Sequence, residues 1–312
     1  MNNRKKILVV GSFFMDLVFR VDRRPGPGET LIGLEFGMFT GGKGYNQAIA
    51  AARMGADVSM IGCLGVDYYG DLFIESLKKE GVNIDHVIRN SKIGTGVATP
   101  VIYESEKNNS IIIIPRANDH ITPQDIDALT PTIASADLLM LQLEIPIETS
   151  YRAAEIAKKN NVPVMLNPAP YKALPDDFYR LVDVITPNEV EASQISGMSI
   201  TDTQTTRLAA QIILSLGPKQ VVLTLGQQGA FFLSQKEEFF VPAFNVNVID
   251  PTAAGDAFCS GYAFAYLTGL NPHEAVRMGN SAGALATTVL GAEPSLPRVE
   301  EVLRILASSK SN

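Results

Sequence analysis

The sequence predicts an α/β fold in which a mainly parallel sheet is covered by helices on both faces, with a second, small sheet projecting from it. Short apolar runs alternate with helix-period segments along most of the chain. Those runs are apolar on consecutive residues, as strands buried on both faces require. Two regions break the alternation with strand-like pieces and no helix between them. At 312 residues, 46% hydrophobic and 19% charged, the chain is long enough for one large domain or two smaller ones around a sizeable core.

In chain order, Ile7–Val10, Val58–Gly62, Leu138–Leu143, Val162–Leu166, Val184–Thr186 and Val221–Leu225 are read as buried strands. Asn46–Met54, Asp71–Glu80, Ile147–Asn160 and Thr205–Leu216 are read as helices. Gly55 and Gly81 follow two of these helices as left-handed caps. Asn271-Pro272-His273-Glu274 supplies an N-cap, a first-turn proline and a capping glutamate for a further helix. The first interruption runs from Phe13 to Thr40 around Pro25-Gly26-Pro27-Gly28. The second pairs Gly96–Glu104 with Ser110–Ile114 as a hairpin around Lys107-Asn108-Asn109. Both suit a small sheet able to act as a water-excluding lid; ordinary edge strands remain the alternative.

Composition excludes several classes of function. A net charge of −7 leaves no broad nucleic-acid-binding face, although a nucleotide needs only a local pocket. Cys63 and Cys259 are too few for a disulfide framework, and His86, His120 and His273 are too scattered for a metal centre. The apolar run after Arg4-Lys5-Lys6 is too short for a signal peptide, and no stretch approaches membrane-spanning length. A cytoplasmic protein is the resulting expectation.

Two segments carry chemistry. Asp250-Pro251-Thr252-Ala253-Ala254-Gly255-Asp256 places small residues and an acid at the start of an apolar helix. Backbone N–H groups there can hold a developing anion, with Asp256 beside them to accept a proton from an attacking hydroxyl. The same pattern also describes a plain helix start with an Asp in its first turn. Gly41-Gly42-Lys43-Gly44-Tyr45-Asn46 precedes the apolar helix Gln47–Met54, and its glycines admit close backbone approach to a polar ligand. Gly37, Gly42 and Lys43 have the spacing of a nucleotide P-loop. Gly44 stands where that motif has its magnesium-binding hydroxyl, so the P-loop reading fails. Val9-Val10-Gly11-Ser12 lacks the three-glycine dinucleotide pattern, which excludes a nicotinamide enzyme. Asp16 falls where the first strand should end, either as an acceptor for neighbouring sugar hydroxyls or as a solvated turn residue.

Together these motifs resemble the paired signatures of the ribokinase-like (phosphofructokinase-B-type) carbohydrate kinases. The resemblance extends in order through Leu141-Gln142-Leu143-Glu144, Asn167-Pro168-Ala169-Pro170, Thr186-Pro187-Asn188-Glu189 and Gly291-Ala292-Glu293-Pro294-Ser295. It implies a three-layer α/β/α kinase domain over residues 1–312, with β-lid segments at about 13–40 and 95–116. It also implies ATP-dependent transfer of a γ-phosphate to the terminal hydroxyl of a pentose, with magnesium and a potassium activator. In such an enzyme Asp256 is the base, and Ala253, Ala254, Gly255 and Asp256 form the anion hole. The sugar meets Phe14, Asp16, Gly42, Lys43, Asn46, Glu144 and Asp256. ATP meets Asn188, Thr224, Gly226, Gly229, Gly255 and Asn280, with Glu191 acting on magnesium indirectly. Potassium meets Asp250, Thr252, Ala286, Val289, Gly291 and Ser295, mostly through carbonyls. A homodimer through the lid follows, with Phe36, Met38 and Phe39 as candidates for its apolar face; core packing explains those three equally well.

Two positions depart from the family pattern. Phe14 stands where the ribose-specific branch has an Asn that contacts a hydroxyl, and Arg116 replaces the glycine usual before Ala117-Asn118. Phenyl leaves a buried hydroxyl unpaired, at about 1–3 kcal/mol. D-ribose is therefore the leading substrate, with 2-deoxyribose or a nucleoside as rivals. A catalytically silent sugar-binding regulator is the reading from another class. Arg116 is expected near the lid, narrowing the site or reading a charged group.

Overall fold

A computed structural model of the chain describes residues 4–308, so the two ends of the 1–312 span lie outside the described residues. The chain runs through β1 (Lys6–Val10), β2 (Phe14–Val21), β3 (Glu35–Gly41), α1 (Lys43–Arg53), β4 (Asp57–Gly65), α2 (Tyr68–Lys79), β5 (Val87–Asn90), β6 (Val97–Tyr103) and β7 (Asn108–Ile114). It continues through α3 (Pro123–Ala128), α4 (Thr130–Ala134), β8 (Leu138–Leu141), α5 (Ile147–Lys159), β9 (Val164–Leu166), α6 (Asp176–Tyr179) and β10 (Val184–Ile185). The last third holds α7 (Glu189–Ser196), α8 (Thr203–Ser215), β11 (Gln220–Thr224), β12 (Ala230–Ser234), β13 (Glu238–Val241), α9 (Ala254–Leu267), α10 (Pro272–Ala286), α11 (Ala292–Ser295) and α12 (Val299–Ser308).

The alternating directions of strand side chains build two cores from one strand. Ile7 and Val9 join α1, α9 and α10 on one face of the main sheet, while Leu8 and Val10 join α5, α7 and α8 on the other. The sheet runs β13-β12-β11-β10-β9-β8-β1-β4-β5, parallel except where β12 and β13 pair antiparallel at one edge. The chain builds outward from β1 through β4 and β5, then returns to β8 on the other side. That reversal opens a crevice beyond the carboxyl ends of β1 and β8, the usual place for a ligand in such sheets.

The interrupting segments form a sheet of their own, ordered β3-β2-β6-β7, and not edge strands of the main sheet. The β6–β7 hairpin pairs as expected, but β2 and β6 run parallel, so this sheet is mixed. Gly55 and Gly81 adopt the expected left-handed conformation, and Asn271 and Glu274 close the expected capping box. Element ends move by a few residues. The second helix begins at Tyr68, where Asp67 caps it by accepting from the Gly70 N–H. Asp16 does not end β1. It lies within β2, which begins after only Gly11–Phe13. No helix among the described residues is long and apolar enough to cross a membrane.

Candidate active site

The early glycine turn is set by close packing. Gly42 has φ 97°, and a Cβ there would come within 2.8 Å of the Phe14 backbone nitrogen, so only glycine lets β3 pass into α1 at this point. The Asn46 N–H donates to the Gly42 carbonyl at 2.8 Å, and the Lys43 N–H donates to Glu144 Oε2 at 2.8 Å. The Ser12 hydroxyl donates to the same carboxylate oxygen, which ties the end of β1 to the segment after β8.

Across the crevice, Ala253 takes the left-handed conformation (φ 61°) and starts α9. Among the described residues the N–H groups of Gly255 and Asp256 have no protein acceptor, as expected in a first helical turn. The Asp256 side chain is 4% exposed. Its Oδ2 accepts from Asn46 Nδ2 at 2.9 Å and its Oδ1 from Gln47 Nε2 at 3.0 Å. The two motifs, more than two hundred residues apart in sequence, therefore meet through direct hydrogen bonds.

On one side of the α9 start lies a cavity of about 760 Å³ lined by Phe14, Asp16, Gly42, Lys43, Asn46, Glu144, Ala253 and Asp256. Its polar wall is rich in unused acceptors. Among the described residues the Asp16 carboxylate receives no hydrogen bond, Asn46 Oδ1 is buried without a partner, and Glu144 Oε1 accepts none. Burial, and then the neighbouring Glu144, pushes the Asp16 carboxyl up to about 7. Burial also pushes Glu144 upward, against the pull of Lys43 and Ser12. Burial works against the Lys43 ammonium, but Asp256, Glu144 and Glu191 raise it overall and keep it charged. A wall of acceptors around the Lys43 ammonium suits a neutral ligand carrying several hydroxyl donors.

On the other side lies a cavity of about 800 Å³ lined by Asn188, Thr224, Gly226, Gly229, Ala254, Gly255 and Asn280. Val246, Val248 and Phe258 supply apolar wall, and Asn280 Nδ2 anchors the adjoining loop by donating to the Val241 and Pro242 carbonyls at 2.9 and 3.1 Å. The segment that runs through Pro251 into α9 borders both cavities. Glu191 lies under Asn188, taking the Asn188 N–H and Nδ2 at 2.9 Å each. A carboxylate so engaged would reach a magnesium ion through water, which fits an indirect role.

Of the positions implied for potassium, Thr252 and Gly291 meet at the Asp250 carboxylate. Asp250 Oδ1 accepts from the Thr252 N–H and hydroxyl at 2.9 and 2.6 Å, and Oδ2 accepts from the Gly291 N–H at 2.9 Å. The Ala286 carbonyl, at the end of α10, takes no backbone donor, and the Ser295 hydroxyl donates to the Ala292 carbonyl at 2.8 Å. Ala286, Val289 and Ser295 line neither cavity; Val289 is on an exposed loop. One carboxylate with several carbonyls suits a monovalent cation. Among the described residues no group of three or more His, Cys, Asp or Glu could hold a metal.

Two expectations are corrected. Arg116 is left-handed (φ 48°), which explains why glycine suits that position. Its guanidinium packs over Gly94 and donates to the Thr95 carbonyl at 3.2 Å, and it does not line the sugar-side cavity. Phe39 does not share an outer face with Phe36 and Met38. Strand alternation turns it to the cavity side, where its ring covers Gly291. Sequence reasoning missed Gln47 and Gln142, both 1% exposed behind Asp256, although Gln142 lies inside a quoted motif and Gln47 directly follows one. It also missed Glu293, whose carboxylate accepts from Tyr45 at 2.6 Å, from Ser76 at 3.0 Å and from Thr40, joining β3 to the Gly291 loop.

The pfkB family carbohydrate kinase model matches residues 4–299. A ribokinase from Haemophilus influenzae is 39% identical over 97% of this chain and 99% of its own length. A deoxyribokinase from Salmonella typhi is 35% identical over 95% of this chain and 96% of its own. Among solved structures, Arabidopsis thaliana ribokinase complexed with ribose and ATP superposes with a TM-score of 0.89 at 31% identity, covering 97% of this chain and 98% of that one.

Proposed function

The chain belongs to the pfkB family of carbohydrate kinases, and we propose that it transfers the γ-phosphate of ATP to the terminal hydroxyl of a pentose, D-ribose foremost, giving ribose 5-phosphate. One observation carries the reading. Asp256 is held by two amides at the boundary of two cavities, beside two N–H groups that have no acceptor in the protein. The hydroxyl proton passes to the Asp256 carboxylate while its oxygen bonds to the γ-phosphorus and the bond to the ADP oxygen breaks. The N–H groups of Gly255 and Asp256 face the charge that builds on the phosphoryl oxygens. Asn188 and Glu191 would hold magnesium through water, and the ion would neutralise charge on the phosphates when bound. Asp250, the carbonyls of Thr252, Ala286, Val289 and Gly291, and Ser295 would hold potassium next to this anion hole.

Asp16, Asn46 and Glu144 take the sugar hydroxyls. Phe14, on the same strand face as Asp16, favours a second reading, a 2-deoxyribose kinase, because it offers no partner to a hydroxyl. The small sheet serves as the lid of one domain. Its outer face exposes Phe36, Met38, Ile112 and Ile114, which supports a homodimer in which the partner covers that face. The deciding experiment measures turnover with ATP, magnesium and potassium on ribose, 2-deoxyribose and a panel of nucleosides. Asp256→Asn is expected to lower turnover about 10²–10⁴-fold. Undiminished phosphorylation by that variant would exclude Asp256 as the base.

A further inference from the structure

Three buried side-chain amides form a chain behind the reacting carboxylate. Gln142 Nε2 donates to Gln47 Oε1 at 2.6 Å, and Gln47 Nε2 donates to Asp256 Oδ1 at 3.0 Å and to Asn167 Oδ1 at 3.3 Å. Asn167 is fixed in turn by donating Nδ2 to the Thr186 carbonyl at 2.9 Å. Gln47 and Gln142 line neither cavity, so neither touches sugar or nucleotide. The amide orientation of Gln47 is forced. Turning it over would set Oε1 against the carboxylate and Nε2 against the Gln142 amino group. The backbone is locked as well, because the Ser260 hydroxyl donates to the Gln47 carbonyl at 3.0 Å and joins α1 to α9.

Asn46 and Gln47 divide the work at Asp256. Asn46 holds Oδ2 and lines the sugar-side cavity, with its own Oδ1 unpartnered among the described residues, so a bound sugar can compete for its amide. Gln47 has both ends engaged within the protein and stays in place whatever the cavity holds. We propose that Gln47 is a positioning residue, held by Gln142, that fixes the Asp256 carboxylate in one orientation toward the attacking hydroxyl. The inference rests on the kinase reading with Asp256 as base. The other charged or titratable groups around Asp256 are Lys43 from α1, Glu144 after β8, Glu191 from α7 and Cys259 from its own helix. The test leaves all four unchanged.

The test replaces Gln47 by Met, which keeps the length and volume of the side chain and removes the amide. Turnover is measured at saturating ATP and sugar, so that kcat reports the bound complex. The kcat falls roughly tenfold, while sugar KM stays within about twofold. Gln142→Met lowers kcat the same way by less, and it carries the test if Gln47→Met does not fold. A purely structural role would alter stability without splitting kcat from KM. If kcat stays within about twofold of wild type in both folded variants while Asp256→Asn is inactive, the positioning role is overturned and the kinase reading stands. If Asp256→Asn turns over at the wild-type rate, both are overturned.

Discussion

Sugar affinity should depend on pH through Asp16. This carboxyl ordinarily titrates near 3.8, but burial and the nearby Glu144 raise it to about 7. The sugar hydroxyls donate to the charged form, so only the ionised fraction binds well. With a pKa of about 7 that fraction is about nine-tenths at pH 8 and about one-tenth at pH 6. The apparent Kd for ribose, measured by calorimetry without ATP, therefore rises about tenfold from pH 8 to pH 6, or about 1.4 kcal/mol. The sign is opposite for the stability of the free protein. A carboxyl raised above its unfolded value contributes stability that is present below about pH 4 and lost as pH rises through about 7. Bound ribose restores part of that loss, so thermal protection by ribose is larger at pH 8 than at pH 6. Asp16→Asn flattens the dependence and weakens binding about tenfold or more at pH 8; that variant also separates Asp16 from any titration of Glu144. A wild-type Kd constant within about twofold across this range would refute the assignment of Asp16 to the sugar.

Phe14→Asn should raise the preference for ribose over 2-deoxyribose, read as the ratio of kcat/KM values, by about tenfold or more; an unchanged ratio means that Phe14 does not face the sugar. Potassium should stimulate turnover over a sodium-only buffer, and equal rates would remove the cation from the Asp250–Gly291 loop. Gly255→Ala should leave the melting temperature unchanged or slightly higher while lowering kcat/KM for ATP by about tenfold or more. Sedimentation at micromolar concentration should show a dimer, and a monomer would leave the outer face of the lid without its proposed cover.

The main sheet was legible because strands buried on both faces must be apolar at consecutive positions, and Ile7–Val10 is such a run with each residue assigned to a core. The glycine turn was legible because its geometry is a backbone demand: the contact between Gly42 and the Phe14 nitrogen leaves few other residues possible. Asp16 lines the sugar-side cavity but lies in a different element from the one expected. Only Gly11–Phe13 separate β1 from β2, and in sequence a strand that passes to a second sheet looks the same as one that ends. Arg116 was misread for a similar reason. Its departure from glycine is visible in sequence, but the direction of its guanidinium depends on Gly94 and Thr95, which only the packing brings beside it. The Gln47–Gln142 contact spans 95 positions, and no local periodicity reports it.

The alternative of a sugar binder without catalysis fails on what surrounds Gly255. A Cβ added there would meet no heavy atom within 4 Å, and its backbone lies outside the left-handed region. Nothing inside the protein therefore calls for glycine, while its presence in α9 costs about 0.5–1 kcal/mol relative to alanine. The open volume beside it faces the cavity lined by Asn188, Thr224 and Asn280, on the side of the α9 start away from Asp16 and Glu144. A protein that only captured sugar would need the acceptors around Asp16. It would need neither that space, nor two N–H groups left without acceptors, nor a carboxylate held by Gln47 at the junction. Those three features share one purpose only when an anionic group arrives from the second cavity and its charge grows at the helix start while a hydroxyl in the first cavity gives up its proton.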